Sequence, residues 1–295
     1  MSSSKMQPIL QQSFSHPRDV LIKFYYRGHK YEIVTEPSAK YTSVTTWNHK
    51  HFPKFDADAI IENIFNSKSW GPENKYWGQT AEQIKAGWKT SGEIASCAGT
   101  KLHERIENFM NNDKILSGYT HQELYDVYQK EKDVLVEDPV EWNYFIEFVK
   151  DHPELKPYRT EWMIFDEELK MAGSIDMVYE NPDGTLSIYD WKRCKDISKI
   201  NGWNKCATNP LIGHLHDTNF WHYALQLNTY KAILERKYDK KVSKLCLVRL
   251  HPENEEDTYE LLEVPILTKE IMDLFEERER EVARPVAGTS PARPL

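Results

Sequence analysis

The stretch that most constrains this chain is GSIDMVYENPDGTLSIYDWK, Gly173 to Lys192. Asn181-Pro-Asp-Gly184 is a turn signal between two runs rich in β-branched and aromatic residues, so the stretch reads as a β-hairpin. A short loop at 181–184 sets Asp176 opposite Tyr189, Asp190 or Trp191. Alternation along the second strand puts Leu186, Ile188, Asp190 and Lys192 on one side. Two carboxylates thus converge beside a lysine at the end of an apolar strand. A charge buried unpaired costs several kcal/mol, as an order of magnitude, so something must compensate it. Two arrangements do so: a hard divalent cation with the ammonium close by, or a structural salt bridge within the hairpin.

Around the hairpin the chain has an ordered plan. Residues 1–17 are expected to form a flexible leader. Val20 to Val34 reads as two strands about Arg27-Gly28. Asp56 to Asn66 reads as a helix, and Thr80-Ala-Glu-Gln83 as a capping box that opens a helix through Trp88. A separate, longer helix is expected from Gly92 to Asn112, with Ile94, Cys97, Ala98, Leu102, Ile106 and Phe109 as its apolar stripe. After further helix within 120–151 come strands at 158–165, 171–179 and 185–191, a helix at 217–237, strands at 242–250 and 258–264, and a charged helix at 268–282. The expected division is leader 1–17, hairpin and helical region 18–91, core 92–283 and disordered tail 284–295. From residue 92 the order is helix, three strands, helix, strand: an α/β core with an N-terminal, mostly helical addition.

Composition narrows the classes. The chain has 295 residues and a formal net charge of −8, which argues against a basic nucleic-acid coat protein but leaves room for a locally basic site. No apolar run approaches the roughly 18 residues of a membrane helix, and membrane partners are not expected. Met1 to Pro17 lacks the apolar stretch of a secretory signal. Cys97, Cys194, Cys206 and Cys246 are widely spread, without a C-x-x-C pair, which points to an intracellular, reducing compartment such as cytoplasm, nucleus or viral factory and not to secretion. Cys194, Cys206, His214 and His216 lack the spacing of a structural zinc site. Lys192 to Lys205 carries five cations (Lys192, Arg193, Lys195, Lys199 and Lys205) against one acid, Asp196, and contains Trp203. A positive segment holding an aromatic side chain suits single-stranded nucleic acid; a solvated loop is the plainer alternative.

Asp176-x13-Asp190-x-Lys192, approached by Gly173-Ser-Ile-Asp176, resembles the signature of the PD-(D/E)XK nuclease superfamily. Three further matches resemble its RecB-like branch: Gly99-x3-His103, Gln226-x3-Tyr230 on the helix after the lysine, and Glu161 opening the first strand. Together they span about residues 92–250, and the set is most similar to RecB, CRISPR-associated adaptation nucleases and the mitochondrial genome maintenance exonuclease. The resemblance implies a restriction-endonuclease-like core, a central mixed sheet flanked by helices. It implies Mg²⁺ or Mn²⁺ held by His103, Asp176, Asp190 and the carbonyl of Trp191, with Lys192 as the catalytic amine. Glu107 would support the site and Glu161 would support it or ligate the metal, a surface glutamate being an equally good reading; Gln226 and Tyr230 would position DNA together with Arg193, Lys195, Lys199, Trp203 and Lys205. Some members carry an iron–sulfur cluster on four cysteines, three of them close together near the C-terminus; only Cys246 lies in that region here, so no cluster is expected. The implied function is a divalent-metal-dependent deoxyribonuclease, an exonuclease on single-stranded DNA or DNA ends in replication, repair or recombination, with a helicase or polymerase as a conceivable partner. The alternative is a catalytically inactive RecB-like DNA-binding or interaction subunit of a repair or replication complex.

Overall fold

A computed structural model describes residues 8–114, 118–132 and 137–284. The chain runs α1 (Ile9–Ser13), β1 (Ile22–Tyr25), β2 (Lys30–Ile33), β3 (Thr42–Ser43), α2 (Val44–His49), α3 (Ala57–Phe65), α4 (Ala81–Met110), α5 (His121–Glu131), α6 (Val140–Asp151), β4 (Lys156–Asp166), β5 (Met171–Glu180), β6 (Leu186–Lys192), α7 (Asn219–Lys237), β7 (Val242–Arg249), β8 (Glu260–Glu263) and α8 (Thr268–Ala283). β3 to β8 form a six-stranded mixed sheet, and β1 pairs with β2 in a separate hairpin. β5 and β6 are antiparallel, with Met177 opposite Tyr189. β7 then runs parallel to β6, placing Leu247 beside Asp190 and Arg249 beside Lys192.

Helices cover both faces of the sheet. On one side Leu186, Ile188, Leu245 and Leu247 pack with Phe220, Leu227 and Ile233 of α7 and Leu274 and Phe275 of α8. On the other, Tyr179, Tyr189, Trp191 and Val248 pack with Leu102 and Ile106 of α4 and Phe145 and Phe148 of α6. The strands are apolar on both faces because both are covered, and α7 buries side chains on more than one face, Asn228 and Thr229 among them, because it lies between sheet and outer helices. This is the α/β architecture of a restriction-endonuclease-like core with an N-terminal helical region.

The central sheet parts beside the site. β4 lines one edge of β5 from Met171 to Glu180. On the other edge β3 pairs only with Met171 and Ala172, and β6 with Met177 to Glu180. Gly173 to Asp176 therefore have a strand on one side only. At this opening the backbone N–H of Trp191 donates to Asp176 Oδ2 at 3.1 Å.

Two sequence expectations are corrected here. The helices expected at 80–88 and 92–112 are one helix, α4, 30 residues long and about 45 Å from end to end. Its capping box at Thr80 and Gln83 is present, but Ile94 and Cys97 are exposed rather than part of a core stripe. Residues 89–97 are exposed on every face, so no apolar face packs there, and the expected division at 91/92 falls inside this bare span. Secondly, residues 8–17 are not a loose leader. Leu10 is buried, Leu10 N–H donates to Asn111 Oδ1 at 3.1 Å, and the carbonyl of Phe14 accepts from Arg159 Nη1 at 2.9 Å. Residues 1–7 of the leader and 285–295 of the tail lie outside the described residues.

Candidate metal centre

Each side chain of the site is set by a different element. α4 carries His103 one residue after buried Leu102, so the imidazole leaves the core face toward the opening in the sheet. β5 supplies Asp176, β4 supplies Glu161, and the end of β6 supplies Asp190 and Lys192. His103 Nδ1 lies 3.5 Å from Asp176 Oδ2 and 3.8 Å from Glu161 Oε1. Its Nε2 lies 3.1 Å from the carbonyl oxygen of Trp191. One ligand atom each from His103, Glu161 and Asp176 falls within 4.8 Å of the others. Lys192 Nζ sits 2.5 Å from Asp190 Oδ2, although that oxygen accepts no hydrogen bond of good geometry. The same ammonium lies 4.3 Å above the Tyr223 ring.

Glu161 reaches this point through an unusual backbone. Its φ is +42°, in the left-handed region, in the middle of a strand. A non-glycine residue there costs on the order of 1–3 kcal/mol, and such strain concentrates at functional sites. Ser174 Oγ donates to Glu161 Oε2 at 3.0 Å and steadies the carboxylate.

Charge balance follows from burial. Burial works against charging His103, but the carboxylates of Asp176 and Glu161 outweigh it and push the imidazole up to about 9. Burial raises Asp176 as well. Asp190 is pushed up to about 6 by burial, against the opposing pull of Lys192. Burial alone would lower Lys192; the charges of Asp190 and Asp176 raise it, so its ammonium stays charged. Three carboxylates thus face one permanent cation, and the proton on His103 supplies part of the missing positive charge. A divalent cation fits this donor set in hardness and charge: carboxylate oxygens, an imidazole nitrogen and, beside them, the Trp191 carbonyl.

The expected residues are sorted by this geometry. His103 and Asp176 come together, with the Trp191 carbonyl at hydrogen-bond distance from His103. Glu161, expected as a supporting group or a metal ligand, lies with His103 and Asp176 in the donor group, whereas Asp190 stands beside it on Lys192. Glu107 lies one turn further along α4; its carbonyl accepts from Asn111 Nδ2 at 2.8 Å. Tyr230, expected against DNA, is buried at 3% exposure and bonded to Gln226 Nε2 at 3.2 Å; only Gln226 of this pair reaches solvent. The reason is Gly173: a Cβ there would lie 2.6 Å from Tyr230 Cε1, so the glycine and the tyrosine ring interlock. The basic segment is less free than its composition implies. Arg193 Nε pairs with Glu141 at 2.8 Å and Lys195 Nζ with Glu253 at 2.8 Å. Lys199, Lys205 and Trp203 remain exposed. Sequence reasoning missed Tyr223 and Ser174. Tyr223 stands three residues before Gln226 on α7, and Ser174 two before Asp176 on β5, so helical and strand periodicity would have found both.

The geometry agrees with a match in sequence. The family model of the PD-(D/E)XK nuclease superfamily matches residues 98–295, and the chain belongs to that superfamily. No curated protein matches the chain. Among solved structures, a "Putative exonuclease" from Eubacterium rectale is similar at 11% identity with a TM-score of 0.38, covering 82% of this chain and 78% of that one. A second, SSO0001, is similar at 17% identity with a TM-score of 0.23, covering 43% of this chain and 51% of its own. Among the described residues no helix is long and apolar enough to cross a membrane.

Proposed function

We propose that this nuclease-superfamily protein is a Mg²⁺- or Mn²⁺-dependent deoxyribonuclease of the RecB-like branch, working as an exonuclease on single strands or DNA ends in replication, repair or recombination. The observation that carries the reading is the convergence of His103, Glu161 and Asp176 beside the Asp190–Lys192 pair. Those three side chains would hold the cation; Asp190, here on Lys192, and the Trp191 carbonyl, here on His103 Nε2, are the further ligands that the superfamily resemblance implies. When bound, it supplies Lewis acidity toward a phosphoryl oxygen and acidifies water. Lys192 is fixed by Asp190 and Tyr223; as a lasting ammonium it counters charge that builds on the phosphoryl group and orients the attacking water rather than taking its proton. The Trp191 N–H holds Asp176 in place from the backbone. Gln226, at the solvent end of the Gln226–Tyr230 pair, steadies the strand, and Lys199 and Lys205 offer charge to phosphates.

The test is digestion of end-labelled single- and double-stranded DNA in Mg²⁺ and in Mn²⁺, with blocked-end controls. Asp190→Ala and Lys192→Ala are expected to lower cleavage by about 10²-fold or more while the fold persists. Equal cleavage by wild type and both variants would overturn the assignment; equal cleavage of blocked and free ends would overturn the exonuclease mode.

A further inference from the structure

The turn after Lys192 presents two large apolar side chains to water. Trp203 is 86% exposed and Ile200 is 70% exposed, three residues apart. Exposed apolar surface of this size on a fixed support marks a binding surface more often than a scattered surface residue does. The support is fixed. Trp203 N–H donates to Asn201 Oδ1 at 2.8 Å, Asn201 Nδ2 donates to the carbonyl of Asp217 at 2.8 Å, and Asn204 closes the turn with φ +55°. The turn is also pinned to the start of α7: Trp221 Nε1 donates to the carbonyl of Lys199 at 2.9 Å, and Ser198 N–H to Asn219 Oδ1 at 3.3 Å. One helical turn beyond Asn219, about 6 Å, is Tyr223, the ring under Lys192. The turn that carries the apolar pair is thus anchored within one helical turn of the residue beneath Lys192. Lys199 and Lys205 flank it in sequence; neither forms an ion pair with a described residue, and Lys199 Nζ lies 4.8 Å from the centroid of the Phe220 ring.

An indole, a butyl-sized wedge and two cations outside any ion pair match one ligand chemistry: an unstacked base with the phosphates on either side of it. A duplex hides its base faces everywhere but at its two ends, so along its length the indole has nothing to stack on. We infer that Trp203 is a stacking post for an unpaired base of the substrate strand, with Ile200 packing behind that base, and that this pair makes the protein select single-stranded over duplex DNA. The inference rests on the nuclease reading above and deepens it to substrate class.

Affinity without cleavage is the measurement: anisotropy of a labelled oligonucleotide, single-stranded or duplex, titrated with the full chain in chelator. Wild type is expected to prefer the single strand. Trp203→Ala should lose roughly 5- to 150-fold of single-strand affinity, the range that one base–aromatic stack represents, with little change for duplex. Trp203→Phe should keep most of it. An oligonucleotide carrying abasic sites should weaken wild type and leave Trp203→Ala unaffected. Because Trp203 is exposed, circular dichroism of the variants should match wild type. Unchanged single-strand affinity in Trp203→Ala, or equal weakening of wild type and variant by abasic sites, overturns the stacking role. If wild type cleaves DNA in Mg²⁺ under that outcome, the nuclease reading stands without it; if wild type neither binds nor cleaves DNA, both fall.

Discussion

Gly173 shows how much a single residue type can decide. Its backbone is ordinary strand; the requirement is for space, because the Tyr230 ring occupies the position of a Cβ at 2.6 Å. The glycine before Asp176 and the tyrosine after Gln226 are therefore two halves of one contact, and it holds α7 against the part of β5 that has no strand on that side. Gly173→Ala is expected to destabilise the fold by about 1–3 kcal/mol, as overpacking does. A urea double-mutant cycle with Tyr230→Ala checks it: if the contact is as described, the double variant loses less than the two single variants together. Glu161 illustrates the opposite demand, a residue that is not glycine held at φ +42° so that its carboxylate meets His103 and Asp176. That strain cannot be read from a sequence, and neither can the pairing that leaves Asp190 on the lysine beside the donor group.

At the scale of elements, the N-terminal segment is tied down by one acid. Asp19 accepts from Arg159 Nη1 at 2.7 Å and from Trp162 Nε1 at 3.0 Å, both on β4, and Arg159 is 3% exposed. Asp19→Ala would leave a buried guanidinium without its counter-charge and is expected to cost about 3–5 kcal/mol, measured as a shift of the urea midpoint; Asp19→Asn, which keeps hydrogen-bonding capacity, should cost less. The β5–β6 register was legible from a local turn, and it runs as read, with Met177 opposite Tyr189 and so Asp176 level with Asp190. The docking of residues 8–17 was not legible, because their partners Asn111 and Arg159 are more than a hundred positions away and the segment carries little apolar pattern of its own. The unity of α4 was hidden for a related reason. Apolar periodicity reports packing, and residues 89–97 pack against nothing.

At the scale of the whole molecule, two histidines with large and opposite shifts bear on stability, alongside downward shifts of His16, His51, His222 and His251 and the raised Asp176 and Asp190. His121 is wholly buried, with Nε2 2.9 Å from Tyr179 Oη; burial, helped by nearby His152, pushes it down to about 3. A depressed histidine contributes stability that is complete above its unfolded value near 6.5 and is lost as pH falls toward 3, by up to roughly 4–5 kcal/mol. His103 is raised, so in chelator its contribution is complete below about 6.5 and is lost as pH climbs through about 9. The raised Asp190 adds an opposite contribution, lost as pH rises toward about 6 and shared by wild type and variant, so the His121 effect is read as a difference: urea midpoints should fall less between pH 6.5 and 5 in a non-titrating His121→Leu variant than in wild type. An acid limb as steep as wild type in that variant would contradict the attribution. The bare span of α4 has a further meaning at this scale. Between Lys89 and Cys97 the helix is held by its own main-chain bonds, with Gly92 among them, and an unsupported helix of that length is marginal in water. The aromatic cluster around Phe65, Trp70 and Trp77, tied to the first turns of α4 through Tyr76 and Trp88, is thus joined along this helix to the candidate metal centre at His103 only through a span that no side-chain packing braces.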